Sequence, residues 1–246
     1  MLLEARNITK AFGAFKAVDD ASVAVNAGEV LGLIGPNGAG KSTFFNCLTG
    51  DLAPSSGSVH FQGRDVTALA PEARARVGIA RTFQVPLTFV SMSVLDNVTI
   101  GAFLNRSKTA DARAKAREVI DFVGLGAHVD APAASLGTPG RKRLEIARAL
   151  ACEPEVLLLD EAMAGLTPAE IRTAIELVRR IHARGITLII VEHIMEVIVS
   201  LAGRVVVFHQ GREIARGTPV QVTRDTAVIE AYLGKRHAQK LSGGAA

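Results

Sequence analysis

Tryptophan is absent from this 246-residue sequence, tyrosine occurs once and cysteine twice. Cys47 and Cys152 lie far apart in no CxxC or Cys/His spacing, which leaves no disulfide framework to expect. Both are expected to be reduced, partly buried small hydrophobes. Long apolar runs are missing as well: nothing approaches the roughly 18 residues of a membrane span. The bursts VLGLIG, VLLLD, TLIIV and RVVVF are strand-sized. LLEARNITKAF, which follows Met1, lacks the basic-then-apolar layout of a signal peptide. The expectation is a chain that stays in the cytosol and is able to dock on a membrane protein. No sign of charge dominates either, since 28 Lys and Arg face 24 Asp and Glu, a net charge of +4. That balance reads as a solvated basic face, and no nucleic-acid partner is expected.

What is present is a chain long enough for a sizeable core, 48% hydrophobic and 21% charged. Short β-branched runs alternate with helical patterns, as in a sheet with helices packed on it. Candidate strands are Val30–Ile34, Val156–Leu159, Thr187–Val191 and Val205–Phe208. LLEARNITKAF, ASVAVNAG and SGSVHFQG alternate as antiparallel strands do. Residues 94–150 carry Ala, Arg and Lys at helical spacing, as in TADARAKAREVIDFVGL, and predict a helical insert. The polar tail KRHAQKLSGGAA is expected to fray.

The strongest motif is GPNGAGKST: Gly35, Pro36, Asn37, Gly38, Ala39, Gly40, Lys41, Ser42 and Thr43. It follows the strand VLGLI and precedes a helix-like run, the context of a phosphate-binding loop. Its glycines let backbone N–H groups converge on phosphate oxygens at a helix N-terminus. Lys41 is placed to reach the β- and γ-phosphates, and the Ser42 hydroxyl to ligate Mg²⁺. The metal's other ligand should be a carboxylate closing a hydrophobic strand, and VLLLDE supplies Asp160. Glu161, next to it, is placed as the general base that polarises the attacking water.

The ordered series GPNGAGKST, RTFQ, RKRLEIARAL, LLLDE, AGLTPAE and IIVEH resembles the nucleotide-binding subunit of ATP-binding cassette (ABC) transporters over nearly the whole chain. The resemblance implies an α/β fold: a P-loop NTPase (RecA-like) core sheet with an N-terminal antiparallel β subdomain and an inserted α-helical subdomain. The implied layout is an ATP-binding core in residues 1–84 and 151–236, a helical subdomain in 85–150 and a tail in 237–246. It also implies an ATPase that uses ATP and Mg²⁺. Gln84 corresponds to the glutamine that senses Mg²⁺, His193 to the switch histidine at the γ-phosphate, and Phe12 to the aromatic that stacks on adenine. FQGRDVTALAPEARARVGIARTFQ, AGLTPAE and the C-terminal region resemble the larger ATPase of the branched-chain amino acid importers. Such a subunit pairs with a second ABC ATPase, as hetero- or homodimer, on the cytoplasmic face of the membrane. Two transmembrane permease subunits bind the pair, fed by an extracytoplasmic solute-binding protein. VPLTFVSMSVLDNV then either borders the groove for a permease helix or packs inside the helical insert.

The sequence departs from the family at the LSGGQ signature, which falls on Leu136, Gly137, Thr138, Pro139 and Gly140. Only Leu136 matches. Gly137 lacks the hydroxyl and Pro139 the N–H that grip the γ-phosphate of the partner's ATP. One charge-assisted hydrogen bond lost is worth about 1.5–3 kcal/mol. Thr138 offers a substitute hydroxyl, and Pro139 suits a first helical turn. Ala162 replaces a proline, and Thr167 stands where many cassettes carry an aspartate. Two alternatives stay open: a regulatory cassette with little hydrolysis, and a soluble non-transport ABC ATPase. The single cassette and short insert speak against the second.

Overall fold

A computed structural model describes residues 1–84 and 87–233 of the chain. The chain divides into two units, one made of Met1–Leu69 with Ile189–Ala246 and the other of Ala70–Leu188. The tail expected to fray, 237–246, lies outside the described residues.

In the first unit, apolar and polar residues alternate through β1 (Leu3–Phe12). β2 (Phe15–Val25) returns antiparallel to it, with Leu3 opposite Val25 and Phe12 opposite Phe15. β3 (Val30–Ile34) does not alternate and is buried throughout, the pattern of a strand covered on both faces. Gly32 in β3 lets α-helical side chains come close: a Cβ there would lie 3.2 Å from Ile198 Cδ1. α1 (Lys41–Thr49) follows and stops at Gly50, which takes the left-handed conformation at φ 85°. β4 (Ser56–Phe61) and β5 (Arg64–Asp65) complete an antiparallel sheet of order β2-β1-β4-β5.

The second unit opens with α2 (Pro71–Arg76) and β6 (Ile79–Arg81). Three helices then pack on one another: α3 (Val94–Ala102), α4 (Thr109–Phe122) and α5 (Thr138–Ala151). Short 3-10 turns at Gly126–His128 and Ala133–Ser135 connect them, so the stretch 94–150 is helical as its spacing predicts. β7 (Val156–Asp160), buried throughout, runs parallel to β6 with Arg81 opposite Leu158. α6 (Pro168–His182) buries Ile171, Ile175, Val178 and Ile181, one stripe at helical spacing. Its first turn is closed by a capping box between Thr167 and Glu170.

β8 (Thr187–Val191) carries the chain back into the first unit. There α7 (Met195–Leu201), β9 (Arg204–His209), β10 (Arg212–Gly217), α8 (Pro219–Thr223) and α9 (Thr226–Leu233) follow. β3 pairs parallel with β9, and β9 antiparallel with β10. Phe44 of α1 meets Phe208 of β9 with ring centroids 5.0 Å apart, which anchors the helix that begins the phosphate loop's far end. Neither cysteine is in a disulfide; Cys47 is buried and Cys152 partly so, as expected. Among the described residues no helix is long and apolar enough to cross a membrane.

Candidate functional site

Gly35 to Gly40 join β3 to α1 in the first unit, and three of the glycines have positive φ: Gly35 at 152°, Gly38 at 77° and Gly40 at 96°. A Cβ would lie 2.2 Å from the Phe208 carbonyl oxygen at Gly35, and 2.2 Å from that of Ala17 at Gly40. The loop is therefore pressed against backbone on two sides, and only glycine fits there. Gly40 caps α1 with no side-chain hydrogen bond, so no N-cap side chain takes up the first amides of the helix, the arrangement that suits an anion. Lys41 is buried, and its ammonium donates to the carbonyls of Gly35 (2.7 Å) and Pro36 (3.0 Å). The cation thus lies against the carbonyls at the start of the loop. Asn37, Gly38 and Ser42 are exposed, Thr43 is half-buried, and the buried Ala39 accepts the Gly211 N–H at 3.0 Å.

Other expected residues fall in the same unit. Phe12 ends β1 with 51% exposure and Lys10 Nζ 5.3 Å from its ring centroid, so it is no core residue. His193 is exposed just past β8, next to a buried Glu192. The sequence reading passed over the lone tyrosine. Tyr232 of α9 faces the Gly35 backbone amide, and burial raises its phenol pKa. With Ile34, Met195, Thr223, Val228 and Ile229 it lines a cavity of about 190 Å³.

The second unit holds the carboxylates. Asp160 ends β7 almost fully buried; its backbone N–H donates to the Thr82 hydroxyl at 3.2 Å, and its carboxylate lies 3.3 Å from Arg81 Nη2. Arg81 in turn stacks 4.3 Å from the Phe83 ring centroid. Glu161 adopts φ 44°, a left-handed backbone that a glutamate rarely takes. Its carbonyl is held by the Ala164 N–H at 3.1 Å and by Lys142 Nζ at 3.1 Å. Gln84 Nε2 donates to Glu161 Oε2 at 2.8 Å. The structure thus brings Gln84 to the proposed general base.

At the degenerate loop, Leu136 is buried and Gly137 is the N-cap of α5, which makes Thr138 the first helical residue and Pro139 the second. Proline there removes an N–H that no turn of the helix would have used. Thr138 is exposed and caps nothing, and Arg141 holds the loop by donating to the carbonyls of Leu136 (2.9 Å) and Ala134 (3.0 Å). The segment after Gln84 divides: Val85 and Pro86 lie outside the described residues, Leu87, Phe89 and Val90 are exposed, and Val94, Leu95 and Val98 are core. Asn97, fully buried, orders this turn by accepting the Phe89 N–H at 2.9 Å and donating to the Phe89 carbonyl at 3.0 Å. The basic helix RKRLEIAR also hides more than its pattern shows, for Lys142 and Glu145 are both buried. In the sequence they are charges set among the apolar residues of that helix.

A family model described as ABC transporter matches residues 18–164. A second, described as branched-chain amino acid ATP-binding cassette transporter, matches residues 212–238. The chain is 35% identical over 250 residues to the high-affinity branched-chain amino acid transport ATP-binding protein LivG of Salmonella typhimurium, covering 95% of this chain and 98% of that protein. It is 36% identical over 233 residues to the lipopolysaccharide export system ATP-binding protein LptB of Acidithiobacillus ferridurans, covering 95% and 97%. Among solved structures, an ATP-binding cassette of an ABC transporter in its ADP conformation superposes with a TM-score of 0.86 at 34% identity, covering 95% of this chain and 99% of that one.

Proposed function

The chain belongs to the ABC transporter family of ATP-binding cassettes, and from that premise we propose that it powers uptake of branched-chain amino acids or a related small solute. As a cassette it has the P-loop NTPase fold, binds ATP and hydrolyses it. The observation that carries the import reading is the match to branched-chain cassettes that continues through β10 and the C-terminal helices. LptB, an export-system protein matched at similar identity, supports the family without narrowing the solute.

In this reading the residues divide the work as follows. The amides of Gly38 to Ser42 and the Lys41 ammonium hold the β- and γ-phosphates, and Phe12 stacks on adenine. Mg²⁺, when bound, would neutralise phosphate charge. The residues that would hold it are the Ser42 hydroxyl, the Asp160 carboxylate and Gln84, oxygen donors of the kind Mg²⁺ takes alongside phosphates and water. Glu161 takes the proton of the attacking water, with Gln84 orienting its carboxylate. His193 reports the γ-phosphate. We assign residues 1–84 and 151–236 to the ATP-binding core and 85–150 to the helical subdomain.

Membrane permeases are the partners that a transport cassette implies, and the exposed Leu87, Phe89 and Val90 supply apolar surface for a permease helix. A second ABC ATPase, two permease subunits and a solute-binding protein complete the assembly, with this chain on the cytoplasmic face. Reconstitution with the neighbouring permeases in vesicles checks the reading. ATP-dependent uptake of leucine, isoleucine or valine that disappears in Glu161→Gln is expected. Uptake that survives this change, or ATP turnover with no solute movement, sinks it. ATP binding with little turnover would instead favour the regulatory alternative that Pro139 supports.

A further inference from the structure

Lysine and glutamate are almost never buried unless paired, yet α5 buries Lys142 and Glu145 to 7% and 5% exposure. Arg148 follows after another i, i+3 step along the helix, and all three turn toward backbone. Lys142 Nζ donates to the Glu161 carbonyl at 3.1 Å. The Glu145 carboxylate accepts the Phe83 N–H at 2.9 Å and also the Leu87 N–H. Arg148 donates to the Leu87 carbonyl and stacks 4.9 Å from the Phe89 ring centroid. The backbone is therefore gripped on both sides of Gln84, whose own amide reaches Glu161.

An alanine would fill position 145 of such a helix without desolvating a charge. Burial drives the Glu145 carboxyl above the usual range, while the two amides, Arg148 and Lys142 draw it back down. What the carboxylate returns for that cost is the position of two peptide groups, one before Gln84 and one after it. We propose that Glu145 is a positioning residue of the ATPase reaction, fixing the Gln84 segment to α5 while Lys142 fixes the backbone of Glu161 to the same helix. The glutamine and the general base then share one support, and that support begins in the loop Leu136–Gly140. A displacement of the loop reaches both residues through less than two turns of α5. The inference rests on the reading of Gln84 and Glu161 as reaction-centre residues.

The test compares Glu145→Gln and Glu145→Ala, each alone and combined with Gln84→Ala, in the full chain assembled with its permeases. Glutamine keeps the shape and one acceptor for two donors, so kcat should fall about three- to tenfold; alanine should cost about tenfold or more. KM for ATP should stay within about twofold, because the Lys41 loop belongs to the other unit and keeps its contacts. On the Gln84→Ala background, either change should cost less than about twofold further. Wild-type kcat in Glu145→Gln overturns the proposal. So do losses that multiply in the double variants, or a KM that rises while kcat holds. The isosteric glutamine variant decides the matter if the alanine variant fails to fold. Gln84→Ala and Glu161→Gln alone serve as controls: if both turn over normally, the site reading itself fails. If both are impaired while the Glu145 variants are not, only the positioning role is lost.

Discussion

At Gly40 and Gly38 the same residue type answers two different demands. Both have positive φ, but a Cβ at Gly40 would strike the Ala17 carbonyl, whereas one at Gly38 meets nothing within 4 Å. Gly40→Ala therefore adds a backbone clash to left-handed strain and should destabilise the chain by about 2–4 kcal/mol. Gly38→Ala carries the strain alone, about 1 kcal/mol. Urea melts of the two variants check this, and equal losses would show that the approach to Ala17 is not what fixes Gly40. Glu161 takes comparable strain without being glycine, at φ 44°. Lys142 and the Ala164 amide hold its carbonyl in that turn, and its carboxylate is set against Gln84 by the same twist.

Among the elements, α5 and α6 show how a departure in sequence can leave a helix intact. Thr167 replaces an aspartate that many cassettes carry, yet its hydroxyl accepts the Glu170 N–H and the Glu170 carboxylate accepts the Thr167 N–H at 2.7 Å. Thr167→Ala should then cost about 1 kcal/mol of stability. Thermal unfolding measures it, and an unchanged melting temperature would mean that Pro168 at the first helical position suffices. α5 makes the opposite trade. Pro139 suits its second position but removes an amide from the end that, in the proposed dimer, would face a partner's phosphate. Restoring the signature's hydroxyl and amide with Gly137→Ser and Pro139→Gly should strengthen ATP-dependent dimerisation about tenfold or more. Sedimentation of a hydrolysis-deficient Glu161→Gln background with ATP gives the number. No gain would mean that Thr138, exposed at the first helical position, already supplies the contact.

At the scale of the whole molecule, what matters is how the chain reaches a membrane. No described helix can span a bilayer, while Leu87, Phe89 and Val90 stay half exposed beside a buried, tightly ordered Asn97. Attachment to a membrane should therefore depend on permeases. Expressed with them, the chain should sediment with membranes; expressed alone, or as Phe89→Asp with them, it should remain in the supernatant. Membrane association without permeases would point to direct lipid binding instead.

Local grammar made much of this legible. A glycine-rich turn between an apolar strand and a helix, a carboxylate pair closing VLLL, and period-two or helical spacing each act over a few residues, so β3, α1, β7 and α4 lie where the sequence placed them. The split of the segment after Gln84 into surface and core was not legible, because burial depends on what packs against a residue. The role of RKRLEIAR shows the limit most clearly. Its spacing and charge wrote an amphipathic helix, and the sequence alone determined that helix and its register against the degenerate loop. Only tertiary packing decided that Lys142 and Glu145 turn inward. The amides and carbonyl that they hold come from residues about 20 to 60 positions away, and partners brought together by folding leave no periodic trace along the chain.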